Sequence, residues 1–324
     1  MTQAGGGARR WLPGVTATVI LVALGYGLAA NPFLRDMLGE AWGRVSLAAV
    51  LATVPAQAVS TLMCAGALAA LRPGVSYLAC LGSRLLRDAG GNLLVFMPGL
   101  GEAIGARALV LAGGRTRAAI SASALDTFAE VIGQLPFIAL AIGVLPRFWD
   151  KAELPVFPGN AWALAGMAAG IVLAAGAGVY LWWRLGGRHS RLARRLREEG
   201  TLMRHELARQ RGGMPASILL HFIAWFAGGV QLWMAAAAMG LELGFWPALA
   251  IDAVAYAARG ILFFVPAGLV LQEAGLVGAG LAFGVPAADA LALGLVLRLR
   301  DVVFGAALVI WPVMEFRLRG AKRA

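Results

Sequence analysis

The chain has 324 residues, 60% hydrophobic and 14% charged, with a mean hydropathy of +0.76. A soluble domain carries about 25% charged residues, so this composition excludes a water-soluble enzyme. Length is then read as bilayer crossings at roughly 20 apolar residues each. The 28 Lys and Arg against 17 Asp and Glu give a net charge of +11, and the placement of those cations decides what the charge means.

Arg9 and Arg10 precede an apolar run, Trp11–Ala30. The run is long for a signal peptide and Pro32 lies just past the plausible cleavage region, so it is read as a retained anchor. Further runs long enough to span are Val45–Leu71, Ala118–Leu145, Ala161–Trp183, Pro215–Gly240 and Ala287–Pro312. Two more, roughly Gly90–Leu111 and Phe245–Phe283, are broken near the middle, at Pro98-Gly99 and at Pro266-Ala267-Gly268. These breaks predict helix–break–helix hairpins. The expected fold is an all-α polytopic membrane protein with about six full spans and two re-entrant hairpins. If the prolines merely kink ordinary helices, the count becomes eight spans.

On the six-span plan, twenty of the 28 cations fall on one side, including Arg84, Arg87 and nine in 184–211. Four fall on the other side (Arg35, Arg44, Arg147, Lys151), and four lie at membrane depth (Arg107, Arg259, Arg298, Arg300). This asymmetry predicts both termini on the cytoplasmic side. It also accounts for the net charge without nucleic acid as a partner. The basic stretch RLARRLREEGTLMRHELARQR spaces Leu192, Leu196, Leu202 and Leu207 on one helical face. It reads as a cytosolic connector over 184–213 lying on anionic headgroups, with a regulatory lipid or partner site as the alternative.

The broken segments repeat. Phe96 and Pro98 match Phe264 and Pro266 at an offset of 168, and Glu102 matches Glu273 at 171. At that second offset Gly113 falls on Gly284 and Glu130 on Asp301. Three spans separate the hairpins, so the second copy is expected inverted, the plan of many secondary transporters. The expected organisation is a single membrane domain, 1–324, with repeat one at about 11–145 and repeat two at about 160–318. A non-helical break inside the bilayer requires burial in protein or a watery cavity, which predicts a polar chamber between the hairpins.

Ionisable residues at membrane depth cost roughly 2.5–3.5 kcal/mol each on insertion scales and are functional candidates for that reason. Glu102 and Arg107 lie on the first hairpin; Arg259, Gln272 and Glu273 on the second. Asp126, Glu130 and Gln134 follow at i, i+4, i+8, on one helical face. Arg298, Arg300 and Asp301 lie on the last span. Glu130 and Asp301 sit roughly 18–21 Å along their helices, near mid-membrane. The functional reading is a headgroup pocket in which Arg298 and Arg107 take phosphate or hydroxyl oxygens and the acids take hydroxyls, amines or protons. The structural alternative is that acids and arginines neutralise each other and hold the hairpins together. Gly101-x-x-x-Gly105 and Gly280-x-x-x-Gly284 suit close helix packing.

Catalytic motifs are lacking. The two Cys and three His form no CxxC or HExxH spacing, and no Ser-His-Asp set or P-loop occurs. No cofactor or metal is expected. A polyprenyl-pyrophosphate phosphatase is the enzymatic rival, but the hairpin tips MPGLGEA and VPAGLVLQEA lack the Ser and His that class needs. A non-transporting scaffold for lipid-biosynthetic enzymes is the third reading.

The stretches PGLGEAIGARALVLAGG, ALDTFAEVIGQLPF, VPAGLVLQEAGLVGAGLAFGV and ALALGLVLRLRDVVFG resemble the lysylphosphatidylglycerol synthase transmembrane (flippase-like) superfamily. Within it they resemble the hopanoid-biosynthesis-associated HpnL-like membrane proteins. The resemblance implies a bacterial inner-membrane protein that moves lipid, with a hopanoid as substrate on the subfamily likeness alone. Glu102, Arg107, Asp126, Glu130, Glu273, Arg298 and Asp301 occupy positions matching the family motifs. Synthases of the superfamily add a soluble aminoacyl-transfer domain; this sequence ends at Ala324, so that activity is expected to be absent. A lipid flippase or transporter without an ATP site follows, driven by a gradient or acting as a scramblase, with proton coupling through a hairpin glutamate or Asp301 as one hypothesis.

Overall fold

A computed structural model describes residues 31–94, 99–144, 205, 208–261 and 267–321. Among them are nine α-helices and no strands. They are α1 Pro32–Arg44, α2 Leu47–Ala70, α3 Tyr77–Leu93, α4 Leu100–Leu111, α5 Thr116–Val144, α6 Met214–Ala238, α7 Phe245–Ile261, α8 Ala267–Ala282 and α9 Ala287–Ala321. The expected spans Trp11–Ala30 and Ala161–Trp183, Pro98 and Pro266 themselves, and most of the basic connector lie outside the described residues.

Local chemistry sets several helix ends. Ser46 and Ser76 cap α2 and α3 by accepting hydrogen bonds from the N–H groups of Ala49 and Ala79 at 3.1 and 3.3 Å. The chain enters α4 through Gly99 at φ 80°, a left-handed conformation that glycine adopts without penalty. Gly113 and Gly284, matched by sequence, both turn at positive φ, 107° and 79°.

Among the described residues, three helices are long and apolar enough to cross a membrane: Leu47–Ala70, Thr116–Leu140 and Ala208–Ala238. The packing inverts that of a soluble protein. Much of the buried core is alanine, including Ala49, Ala65, Ala119, Ala122, Ala129, Ala235 and Ala236. Larger side chains such as Leu51, Val59, Leu62, Phe128, Leu135, Leu219, Val303 and Val309 face outward. In hydrocarbon a Leu gains nothing by moving inward, whereas small residues let helix backbones approach and gain van der Waals contact.

Helices α2–α5 and α6–α9 follow the same plan. Their lengths run 24, 17, 12 and 29 residues in the first set and 25, 17, 16 and 35 in the second. Within each set the second and third helices pair as a hairpin, α3 with α4 and α7 with α8. Between sets the packing is reciprocal: α2 lies along α6, α3 against α9, and α5 against α7. The first hairpin closes backbone to backbone, because a Cβ on Gly101 would collide with the Arg87 carbonyl and the Gly91 N–H. Gly105 packs less tightly against Ser83 and Arg87, and Gly280 meets Ala290. Gly284 differs from the packing role expected of it: no atom lies near its Cβ position, and it serves the turn into α9.

The first hairpin corrects the sequence reading in one respect. Its leading arm starts at Tyr77, not near Gly90, so Arg84 and Arg87 are helical and largely buried. Two of the twenty cations assigned to the cytoplasmic side therefore lie among the packed helices. Hydropathy over Ser83–Asp88 is low because this face of α3 is polar, but that face turns inward to meet acids.

Candidate functional site

The inward face of α3 carries Arg84, Arg87 and Asp88, spaced i, i+3, i+4 and so on one side of the helix. Opposite stand Asp126 and Glu130, one turn apart on α5. Arg84 donates to Glu130 at 2.7 Å, to Asp126 at 3.3 Å and to Asp88 at 2.9 Å. Arg87 donates to Asp126 at 2.8 Å and to Glu130 at 2.7 Å. Each guanidinium thus bridges both acids, the fork geometry in which arginine is strongest. On the far side His221 Nε2 of α6 lies 2.9 Å from Asp126, which is only 1% exposed. Glu102, in the first turn of α4, reaches Arg87 more loosely at 3.6 Å and keeps 44% of its side chain exposed.

A second network occupies the other helix set. Arg298 donates to Glu273 of α8 at 2.8 and 2.9 Å and to Asp301 at 3.4 Å. Arg300 donates to Asp301 at 2.6 Å. Arg259 of α7 donates to Gln272 of α8 at 3.3 Å and to Asn92 of α3 at 3.4 Å, so it ties the two sets together. Arg298 and Glu273 are about a quarter exposed, 24% and 27%.

Between the networks lies a polar crevice lined by Gln57 and Thr61 of α2, Asp88 and Asn92 of α3, and Asp301 of α9. It has room for little more than a water molecule. Among the described residues this crevice is a closed, ion-paired junction; the hairpin breaks between which the sequence places a chamber, at 95–98 and 262–266, lie outside them. Burying so many charges is costly unless each is paired and hydrogen-bonded, which explains the density of cross-helix bonds.

Eight of the nine site residues singled out by sequence join these networks. Asp126 and Glu130 meet in the first, with Glu102 at its edge. Glu273, Arg298 and Asp301 meet in the second, and Arg259 with Gln272 bridges toward α3. Arg107 is separate: it pairs with Glu315 near the end of α9 at 3.3 Å and is 43% exposed, so it shares no described partner with Arg298. Sequence reasoning missed Arg84, Arg87, Asp88, Asn92, Gln57, Thr61 and His221. The signal for the first three was their common helical face. A lone His in an apolar run gave none. Outside the junction, Arg44 of α1 donates to Asp289 at the start of α9 and to Glu40 at 2.6 Å. These two carboxylates hold its guanidinium pKa above the usual value.

Apolar outward faces, an alanine-rich interior and two sets of helices joined by buried ion pairs define a polytopic helical membrane protein. The model of the Lysylphosphatidylglycerol synthase TM region family matches residues 11–308, and the chain belongs to that family. No curated protein and no solved structure matches it.

Proposed function

We propose that this protein moves a polar lipid between the leaflets of the bacterial inner membrane, and that it is not an enzyme. One observation carries the reading: two helix sets of matching order and length bring their ionisable side chains to a single polar junction. The hairpin arms support re-entry. At about 1.5 Å per residue their 12–17 residues reach roughly 18–26 Å, short of a hydrocarbon core about 30 Å thick. Reciprocal packing of α3 on α9 and of α5 on α7 fits a two-fold relation between the sets, as an inverted repeat requires. Both termini are cytoplasmic in this reading, on the strength of the remaining cationic excess in the loops on that side.

Burial divides the charged residues into two roles. Arg84, Arg300, Asp126 and Asp301 are almost wholly buried and hold the junction together. Glu102, Arg107, Glu273 and Arg298 keep between 24% and 44% of their side chains open, and these meet the headgroup. A headgroup phosphate or hydroxyl takes Arg298 or Arg87, and the displaced Glu273 or Glu102 turns to a headgroup amine or hydroxyl or takes a proton, so no charge is left bare in hydrocarbon as the lipid passes. The acyl or ring portion stays in the bilayer. The substrate class is a hopanoid or related polar lipid, following the HpnL-like resemblance, and the partners are membrane lipids together with lipid-biosynthetic enzymes.

The test uses proteoliposomes with a fluorescent headgroup-labelled lipid and an external quencher. Wild-type protein is expected to expose well over half of the label to quencher, and Arg298→Gln to return the value to that of protein-free vesicles. No translocation of any polar lipid overturns the reading. So does phosphate release from polyprenyl pyrophosphate that Glu102→Gln abolishes.

A further inference from the structure

Six buried side-chain atoms of the described residues have no hydrogen-bond partner. Four belong to one chain segment: Gln210 Oε1, Ser217 Oγ, His221 Nδ1 and Gln231 Oε1. A fifth, Asp252 Oδ2 of α7, faces the same segment at Gly228, where a Cβ would collide with it. Ser217, His221, Gly228 and Gln231 advance by four, seven and three residues, the spacing of one helical face. Gln210 lies two turns before Ser217, and its amide donates to the Ala118 carbonyl of α5 at 3.3 Å. All five polar residues are 2% exposed or less. In folded proteins such atoms are rarely left bare, and where they occur they mark bound water or a functional group.

From Ser217 to Gln231 is 14 residues, about 21 Å along α6, roughly two thirds of a hydrocarbon core about 30 Å thick. Orphaned polar atoms at intervals across that depth, on the buried side of a span, are what a file of single waters would bond to. We infer that the buried face of α6 carries a water-filled proton path through the membrane, with His221 and Asp252 as its proton-holding stations. A proton taken up at His221 Nδ1 makes an imidazolium that the Asp126 carboxylate, on Nε2, compensates. The same nitrogen then returns a proton to the next water. At Asp252 a proton sits on Oδ2, and its release leaves a carboxylate facing Arg300.

The groups around each station fit these roles. His221 faces Asp126 and Glu130 from α5, and through them Arg84 and Arg87 from α3. From α2 the nearby titratable group is Cys64, buried beside Arg84. Around Asp252 stand Arg300 from α9 and, one turn on along α7, Tyr256, which in turn senses Asp301 and Arg259. From α6 Gly228 lies against Asp252 Oδ2. Proton movement along this face supplies a driving force for the proposed lipid movement but does not need lipid movement in order to occur.

The experiment reconstitutes the full chain in phosphatidylcholine vesicles containing a pH-sensitive dye, with a potassium gradient and valinomycin setting the voltage. Wild-type protein is expected to admit protons well above empty vesicles, and Gln231→Leu to lower the initial rate at least tenfold. A wild-type rate equal to empty vesicles, or an unchanged rate in Gln231→Leu, overturns the inference. Should Gln231→Leu not fold, hydroxyl-radical labelling by water radiolysis reads the wild-type protein directly. His221 modified like an exposed histidine supports bound water at Nδ1, and an unmodified His221 overturns it. Influx without lipid translocation supports the path and sinks the lipid reading; translocation without influx does the reverse.

Discussion

The two helix sets share a plan but distribute charge differently. In the first, two arginines on the hairpin arm α3 each bridge two acids on α5, with His221 behind them. In the second, the hairpin arm α7 offers a buried acid, Asp252, where the first set has Arg84, and the cations Arg298 and Arg300 come from the long helix α9. The first network is multiply bonded and nearly closed. In the second, Arg298 and Glu273 share a single carboxylate oxygen, Oε1, while Oε2 is left unbonded. One set is therefore built as a fixed anchor and the other as a set of charges able to exchange partners.

The sharpest way to break that contrast is to remove one arginine from each set. Arg84→Met leaves Asp126, Glu130 and Asp88 with one cation between them. Loss of one member of a buried ion cluster costs about 3–5 kcal/mol, so thermal unfolding in detergent should show the largest drop of any single substitution here. An unfolding temperature within a degree or two of wild type would remove the anchor from the first set. Gly101→Ala tests the hairpin itself. The added Cβ has the Arg87 carbonyl and Gly91 N–H in its way, and overpacking of this kind costs about 1–3 kcal/mol. Gly278→Ala, with nothing within 4 Å of the new carbon, is the control and should stay within about 0.5 kcal/mol of wild type. Arg298→Gln is expected to cost far less stability than Arg84→Met, about 1 kcal/mol, because its pair with Glu273 is partly open to its surroundings. Lipid translocation should nevertheless be lost. If Arg298→Gln destabilises as much as Arg84→Met, the two networks are equivalent and the distinction fails.

Much of the architecture was legible from hydropathy and two prolines. The broken segments correspond to the helix pairs α3–α4 and α7–α8, and the matched glycines Gly113 and Gly284 both turn at positive φ. The spacing of Asp126 and Glu130 placed both on one face of α5, where they meet the same two arginines. Arg84 and Arg87 were not legible as site residues. A short polar-faced helix reads the same whether that face meets water or meets acids on a neighbour, and cations near a predicted loop are most simply assigned to the membrane surface. Arg107 pairs instead with Glu315, and that pairing was not legible because it depends on where the end of α9 comes to lie.

Sequence alone determined that this chain belongs in a membrane and that it is helical. Those properties follow from composition and local periodicity, which act on each segment separately. Among the described residues, tertiary structure alone decided which charges neutralise one another, that the crevice between the two networks is about the size of one water, and that the unbonded atoms of Ser217, His221 and Gln231 line up along α6. Each of these depends on which face of one helix meets which face of another, and helix packing is set by small-residue contacts between segments far apart in the chain.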